Sequence, residues 1–200
     1  MASISLVKHN EKYLLAIKGG KVWNDFFSSS GIENSVYTSP QKFFNEIWSQ
    51  FLDYENQYEK KYGKKINNSF PGRALEIITF FILDYEKIPI DSMDEEIKGV
   101  PFVKPDFIIK GKNIDFFLSS KTSLRERWKQ ADWESIKYKN TFPNTLCYVF
   151  TNHETEGESL KKKIHLMKEA NDRLDIDKVF ITHLEFDELI NDIKIEGKFK

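Results

Sequence analysis

Between residues 105 and 193, short runs rich in β-branched and aromatic residues alternate with stretches of helical period. This alternation constrains the fold more than any other feature of the chain. Two runs, PDFIIK and NIDFFLSSK, are separated by Gly111 and Lys112 and read as a β-hairpin. A helix from about Leu124 to Tyr138 follows, then the strand TLCYVFT, a helix from about Glu158 to Arg173, the strand KVFIT, and the helix FDELINDI. A hairpin joined to strand–helix–strand–helix predicts a mixed, partly parallel β-sheet flanked by helices. With 200 residues and no repeat or linker, the chain is expected to form a single α/β domain over residues 1–200.

The first third is less regular. KYLLAIKGG suggests a strand closed by a Gly-Gly turn, and FFSSSGIENS a loop. Ser39 suits an N-cap and Pro40 the first helical position. The helix they open carries Phe43, Phe44, Ile47, Trp48, Phe51 and Leu52 at three- and four-residue spacing, and is expected to stop near Gly63. KKINNS then connects to a second helix, about Arg73 to Tyr85, apolar almost all round and so buried. Residues 86–99 read as an acidic connection. Residues 1–65 are expected to form an arm or dimerisation region, with the helix from Ser39 as the first candidate face.

Composition excludes several classes of function. Thirty basic and 31 acidic residues leave a net charge of −1, against a protein that coats nucleic acid by bulk electrostatics, though not against a local basic cleft. One cysteine, Cys147 in LCYVF, permits neither an internal disulfide nor a cysteine zinc cage and reads as core. His9, His153, His165 and His183 lack ligand spacing, and there is no phosphate loop, HExxH or G-x-S-x-G elbow. No segment approaches the roughly 18 consecutive apolar residues of a membrane helix, and the N-terminus does not read as a signal peptide; a cytoplasmic protein without a membrane partner is expected. Trp48, Trp128 and Trp133 read as core or interface.

Residues 105–134 hold the chemistry. Asp106 opens the first arm of the hairpin, and Ser119 and Lys121, two apart in the second arm, point to one face. A hairpin can bring Asp106 and Lys121 together. A carboxylate that holds Mg²⁺ beside a cation that faces a water or a phosphate is what phosphodiester hydrolysis needs, together with a second oxygen ligand. Each residue also has a plain structural reading: a turn at Asp106, a solvated strand-end lysine, a surface glutamate at Glu134. Glu76, on the apolar helix, must face solvent, a metal or a basic partner, because an unpaired buried carboxylate costs several kcal/mol. The edge of the site is the expectation, with Arg73 as the rival partner.

Pro105-Asp106, twelve residues, then Ser119-Ser120-Lys121 resembles the PD-(D/E)XK nuclease signature, with serine where the usual motif has an acid. One branch of type II restriction enzymes, including EcoRII, SsoII, PspGI and NgoMIV, shares that departure and takes the missing carboxylate from the following helix. Glu134, twelve residues beyond Lys121, matches that position, and Glu76 matches an earlier helical glutamate of the branch. Arg125, Glu126 and Arg127 match its R-(D/E)-R element, which reads CC·GG base pairs. Guanidinium can pair with guanine O6 and N7, and carboxylate can accept from cytosine N4. The resemblance covers mainly residues 70–151. It implies a restriction-endonuclease-like core, double-stranded DNA as substrate, Mg²⁺ as cofactor and a homodimer in a restriction-modification system. It assigns metal binding to Asp106, Glu134 and Glu76, the attacking water to Lys121, and a spectator or hydrogen-bonding place to Ser119. Two other readings are a structure-specific repair or junction nuclease on the same fold and a catalytically silent DNA-binding protein.

Overall fold

The computed structural model describes residues 26, 36–66, 69–172 and 174–199. In chain order these form α1 (Pro40–Tyr62), α2 (Phe70–Tyr85), β1 (Ile90–Ser92), β2 (Phe107–Lys110), β3 (Asp115–Ser120), α3 (Arg127–Thr141), β4 (Thr145–Thr151), α4 (Glu154–Glu169), β5 (Lys178–Ile181) and α5 (Thr182–Gly197). The strands make one sheet in the order β1-β2-β3-β4-β5. β1, β2 and β3 are successively antiparallel, whereas β3, β4 and β5 are parallel.

Side chains alternate across the sheet as strand geometry requires. Phe107, Ile109, Phe116, Leu118, Tyr148, Phe150 and Phe180 point to one face and form the main core with α1, α2 and α5. Ile108, Phe117, Cys147, Val149 and Val179 point to the other, under α3 and α4. Both crossover helices lie on that second face because β3, β4 and β5 are laid down in one direction and such crossings keep one hand.

The helix ends follow from their caps. Ser39 Oγ accepts from Lys42 N–H, and Gly63 closes α1 at φ +65°. Phe43, Phe44, Ile47 and Phe51 are buried as their spacing predicts, but Leu52 is exposed, since it falls beside the apolar stripe and not within it. The stripe is spent inside this chain, on α2 and α5. α2 starts three residues earlier than expected, at Phe70, because Pro71 is tolerated in a first turn. α4 starts at Glu154 because His153 caps it, accepting from Glu156 N–H, and it ends by Ala170. The acidic connection contains β1, an edge strand with an irregular register. The reading of KYLLAIKGG lies outside the described residues. Of FFSSSGIENS only Phe26 is described, and it is helical, buried and packed on Phe51.

The hairpin turn spans Gly111 to Ile114, longer than the two residues expected, with Gly111 N–H donating to Ile114 O. Its tip is docked on the end of α5, where Lys112 N–H donates to Gly197 O. A Cβ at Gly111 would stand 2.3 Å from the Ile114 carbonyl oxygen and 2.9 Å from Gly197 Cα, both backbone atoms. Gly111→Ala is therefore expected to destabilise by about 1–3 kcal/mol. A urea midpoint equal to that of the wild type would count against this packing.

Candidate active site

The hairpin register carries Asp106 alongside the C-terminal end of β3. Phe107 opposes Leu118, so the residue before it falls beside Ser119. Asp106 Oδ2 accepts from Ser120 N–H at 2.6 Å, from Lys121 Nζ at 3.3 Å and from Ser119 Oγ at 3.5 Å. Lys121 N–H donates to Phe150 O, which extends the parallel ladder one residue past β3. The lysine side chain is only 7% exposed, and Asp106 is its ion-pair partner. An ammonium held this far out of water is not the solvated strand-end lysine that position usually gives. Ser119 is almost fully buried, with its hydroxyl turned to Asp106.

Glu134 lies on α3, buried, and accepts from Gln130 Nε2 one turn earlier at 2.8 Å. Burial pushes its carboxyl up; Gln130 and Lys121 pull it down and Asp106 adds to the rise, with a net upward shift. Glu76 approaches from α2, on the opposite face of the sheet. Burial pushes it up, the negative charge of Asp106 adds to this, and Arg73 opposes both, leaving the carboxyl pushed up to about 7. Both glutamates thus feel the charge of Asp106, so three carboxylates from three elements share one electrostatic neighbourhood.

The rival partner considered for Glu76, Arg73, is in place. Arg73 NH1 donates to Glu76 at 2.6 Å and to Asp94 at 3.0 Å, and Asp94 in turn pairs with Lys104 at 2.9 Å. Sequence reasoning named Arg73 but missed Asp94 and Lys104. They lie in irregular connections where no periodicity marks a side chain's direction.

The raised Glu76 carboxyl has a consequence for stability. Its unfolded value is near 4.5 and its folded value about 7, so the protonated form favours folding. That contribution is complete below pH 4.5 and is lost as pH rises through 7. Glu76→Gln, permanently neutral, should gain stability on the wild type as pH rises from 4.5 to 8. Chemical denaturation at the two pH values reads this directly, and a gap that does not widen contradicts it.

Arg125, Glu126 and Arg127 are all exposed, at the junction of the β3–α3 loop and the helix. α3 begins at Arg127 and not at Leu124, because Glu156 of α4 engages the backbone before it, accepting from Leu124 N–H and Arg125 N–H. Glu126 pairs with Lys129. Sequence reasoning missed Glu156, whose only signal was its place in the first turn of a helix. Trp133, read as core or interface, is not core: it is 43% exposed beside Glu134, with Lys137 Nζ 4.1 Å from its ring centre.

Cys147 is buried, its thiol pushed up to about 12 by desolvation. His153, His165 and His183 sit at helix surfaces beside glutamates, and His9 lies outside the described residues. Among the described residues, no three His, Cys, Asp or Glu side chains form a group that could hold a metal ion, and no helix is long and apolar enough to cross a membrane.

No protein-family model matches the chain, and no curated protein does. A solved structure does: the restriction endonuclease PspGI in complex with its substrate DNA. It matches 78% of this chain and 69% of its own, with a TM-score of 0.53 and 22% sequence identity. The likeness is one of fold. The mixed five-stranded sheet with helices on both faces is a restriction-endonuclease-like core.

Proposed function

We propose that this chain is a Mg²⁺-dependent endonuclease that cuts both strands of a short specific site in duplex DNA, as a homodimeric restriction enzyme. The observation that carries the reading is at the end of β3: a buried lysine paired to Asp106, whose charge bears on the buried carboxyls of Glu134 and Glu76. The restriction-endonuclease-like fold and the DNA bound by PspGI support it.

The carboxylates offer the oxygen chemistry that Mg²⁺ takes, although among the described residues no three of them stand together as a ready-made cage. The ion takes oxygen ligands and is typically held by one or two carboxylates together with water and substrate phosphate, not by a full protein cage. The Glu76 carboxyl is raised first by burial and then by the charge of Asp106, against its pair with Arg73, and a cation held at Asp106 would lessen that rise. Asp106 would be the central ligand, Glu134 the second carboxylate in place of the acid that Ser119 lacks, and Glu76 an auxiliary one. When bound, the ion polarises the phosphate and lowers the pKa of a bound water.

The chain's own residues do the rest. Lys121 places positive charge beside Asp106, where it orients the attacking water and offsets the charge that gathers on the phosphate oxygens. The water oxygen bonds to phosphorus, the phosphorus–oxygen bond to the sugar breaks, and the proton given up by the water is balanced by one taken from solvent by the leaving sugar oxygen, which becomes a hydroxyl. Ser119 and Ser120 N–H hold Asp106 in one orientation. The exposed Arg125, Glu126 and Arg127 are the residues for base readout in the major groove, with CC and GG steps as the favoured targets.

Digestion of unmodified phage DNA in Mg²⁺ and in EDTA tests the reading. Discrete fragments formed only with Mg²⁺ support it. A metal-dependent smear that persists when Arg125, Glu126 and Arg127 are all replaced by alanine would turn it toward a structure-specific repair nuclease. No cleavage of several DNAs with any divalent metal would turn it toward a silent DNA-binding protein.

A further inference from the structure

The β3–α3 loop leads from Lys121 to Arg125, Glu126 and Arg127, and it is organised by a residue outside both groups. Glu156, in the first turn of α4, accepts from Ser123 Oγ at 3.1 Å, from Leu124 N–H, and from Arg125 N–H at 3.3 Å. Its other oxygen lies 3.5 Å from Arg125 Nε. One carboxylate thus satisfies two consecutive backbone donors and a hydroxyl, and stands in ion-pair range of the Nε side of a guanidinium. Burial pushes the Glu156 carboxyl up, but these bonds and His153 outweigh it and hold the group below the usual range. A second tie acts one turn on, where Lys163 of α4 lies 4.0 Å from the ring centre of Trp128. α4 therefore holds both the loop and the first turn of α3.

The orientation has a chemical consequence. Arginine offers five donors in a rigid planar fork. A carboxylate on Nε occupies one edge and leaves the edge made by the two terminal nitrogens open. Arg125 is 84% exposed, with its backbone N–H bonded to Glu156 and its Nε 3.5 Å from the same carboxylate. Bidentate pairing with guanine O6 and N7 needs such an arrangement, and its worth depends on how little the side chain must be ordered on binding.

We propose that Glu156 is a positioning residue for sequence recognition: it shapes residues 123–125 and fixes the guanidinium of Arg125 with its outer edge toward a base pair. This rests on the reading of Arg125, Glu126 and Arg127 as the base-contacting element. Glu156 touches no DNA in this role; it acts through Arg125.

The test is the spectrum of cut sites, obtained by sequencing the fragment ends of phage DNA digested with Mg²⁺ by the wild type, Glu156→Ala, Glu156→Gln and Arg125→Ala. Glu156→Ala should keep Mg²⁺-dependent cleavage but relax at the base pair that Arg125→Ala relaxes, with cuts at variant sites rising about tenfold. A protein carrying both Glu156→Ala and Arg125→Ala should relax no further than Arg125→Ala. On an oligonucleotide duplex with the mapped site, Glu156→Ala should raise KM much more than it lowers kcat. Glu156→Gln keeps the acceptor oxygen and should restore part of the discrimination, which general loss of folding would not do. Relaxation by Arg125→Ala with none by either Glu156 variant would overturn this proposal alone. An unchanged spectrum for Arg125→Ala, or no discrete cutting by the wild type, would overturn the base-readout assignment and this proposal with it.

Discussion

Lys121→Ala should lower the rate of DNA cleavage by at least a factor of about 10²–10³ at saturating Mg²⁺, while the protein still folds and binds DNA. The ammonium is buried against Asp106 and is the positive charge set beside it at the end of β3. Its removal takes away charge stabilisation developed as the phosphate reacts, so single-turnover rates should fall with little change in DNA affinity. Some stability should be lost, because removing one partner of a buried pair leaves the other's charge unpaired. The loss is softened because Asp106 keeps the Ser120 N–H and Ser119 hydroxyl as partners when the lysine is gone. The converse change differs: Asp106→Ala strands a buried ammonium and should cost stability as well as activity. A Lys121→Ala protein that cleaves at the wild-type rate would remove the lysine from the chemistry.

The largest effect on stability is expected at Phe116. It is fully buried on β3, paired edge-on with Tyr148 across the parallel ladder at 5.6 Å, and packed where the end of α5 meets the sheet. Phe116→Ala should cost about 3–5 kcal/mol, since the surrounding strands cannot close the cavity. That is a large part of the roughly 5–15 kcal/mol by which domains are stable, and a urea titration should show the midpoint shifted far down. A loss under about 1 kcal/mol would mean that the face beneath α1, α2 and α5 is not a tightly packed core.

The strands and the partly parallel sheet were legible because hydrophobic period differs between strand and helix, and it does so clearly in PDFIIK, DFFLSS, TLCYVF and KVFI. Edges were less so. The start of α3 was misplaced by three residues because Glu156, 31 residues beyond Arg125, satisfies the loop's amides, and no local pattern encodes a distant carboxylate. β1 went unread for a related reason: three residues of an edge strand, IDS, have too little alternation to register.

The neighbourhood of Asp106, Ser119 and Lys121 could be read because a hairpin ties residues close in sequence into one register. Glu76 needed more. That it was conspicuous on an apolar helix was visible in the sequence. That it would share its surroundings with Asp106 while holding Arg73 depended on how α2 crosses the sheet. Asp94 and Lys104 depended on two irregular segments meeting, and composition carries no trace of that.

Glu134 is the most exacting point of the account, because it carries the claim that a helix supplies the carboxylate missing at Ser119. The direct measurement is the conversion of supercoiled plasmid carrying the mapped site to linear DNA in Mg²⁺, by the wild type and by Glu134→Ala. The account predicts rapid linearisation by the wild type, none in EDTA, and loss of at least a factor of about 10² in the variant even when Mg²⁺ is raised. Equal rates for the two proteins, with the variant folded, would contradict it and leave the buried acid on α3 with a structural role only.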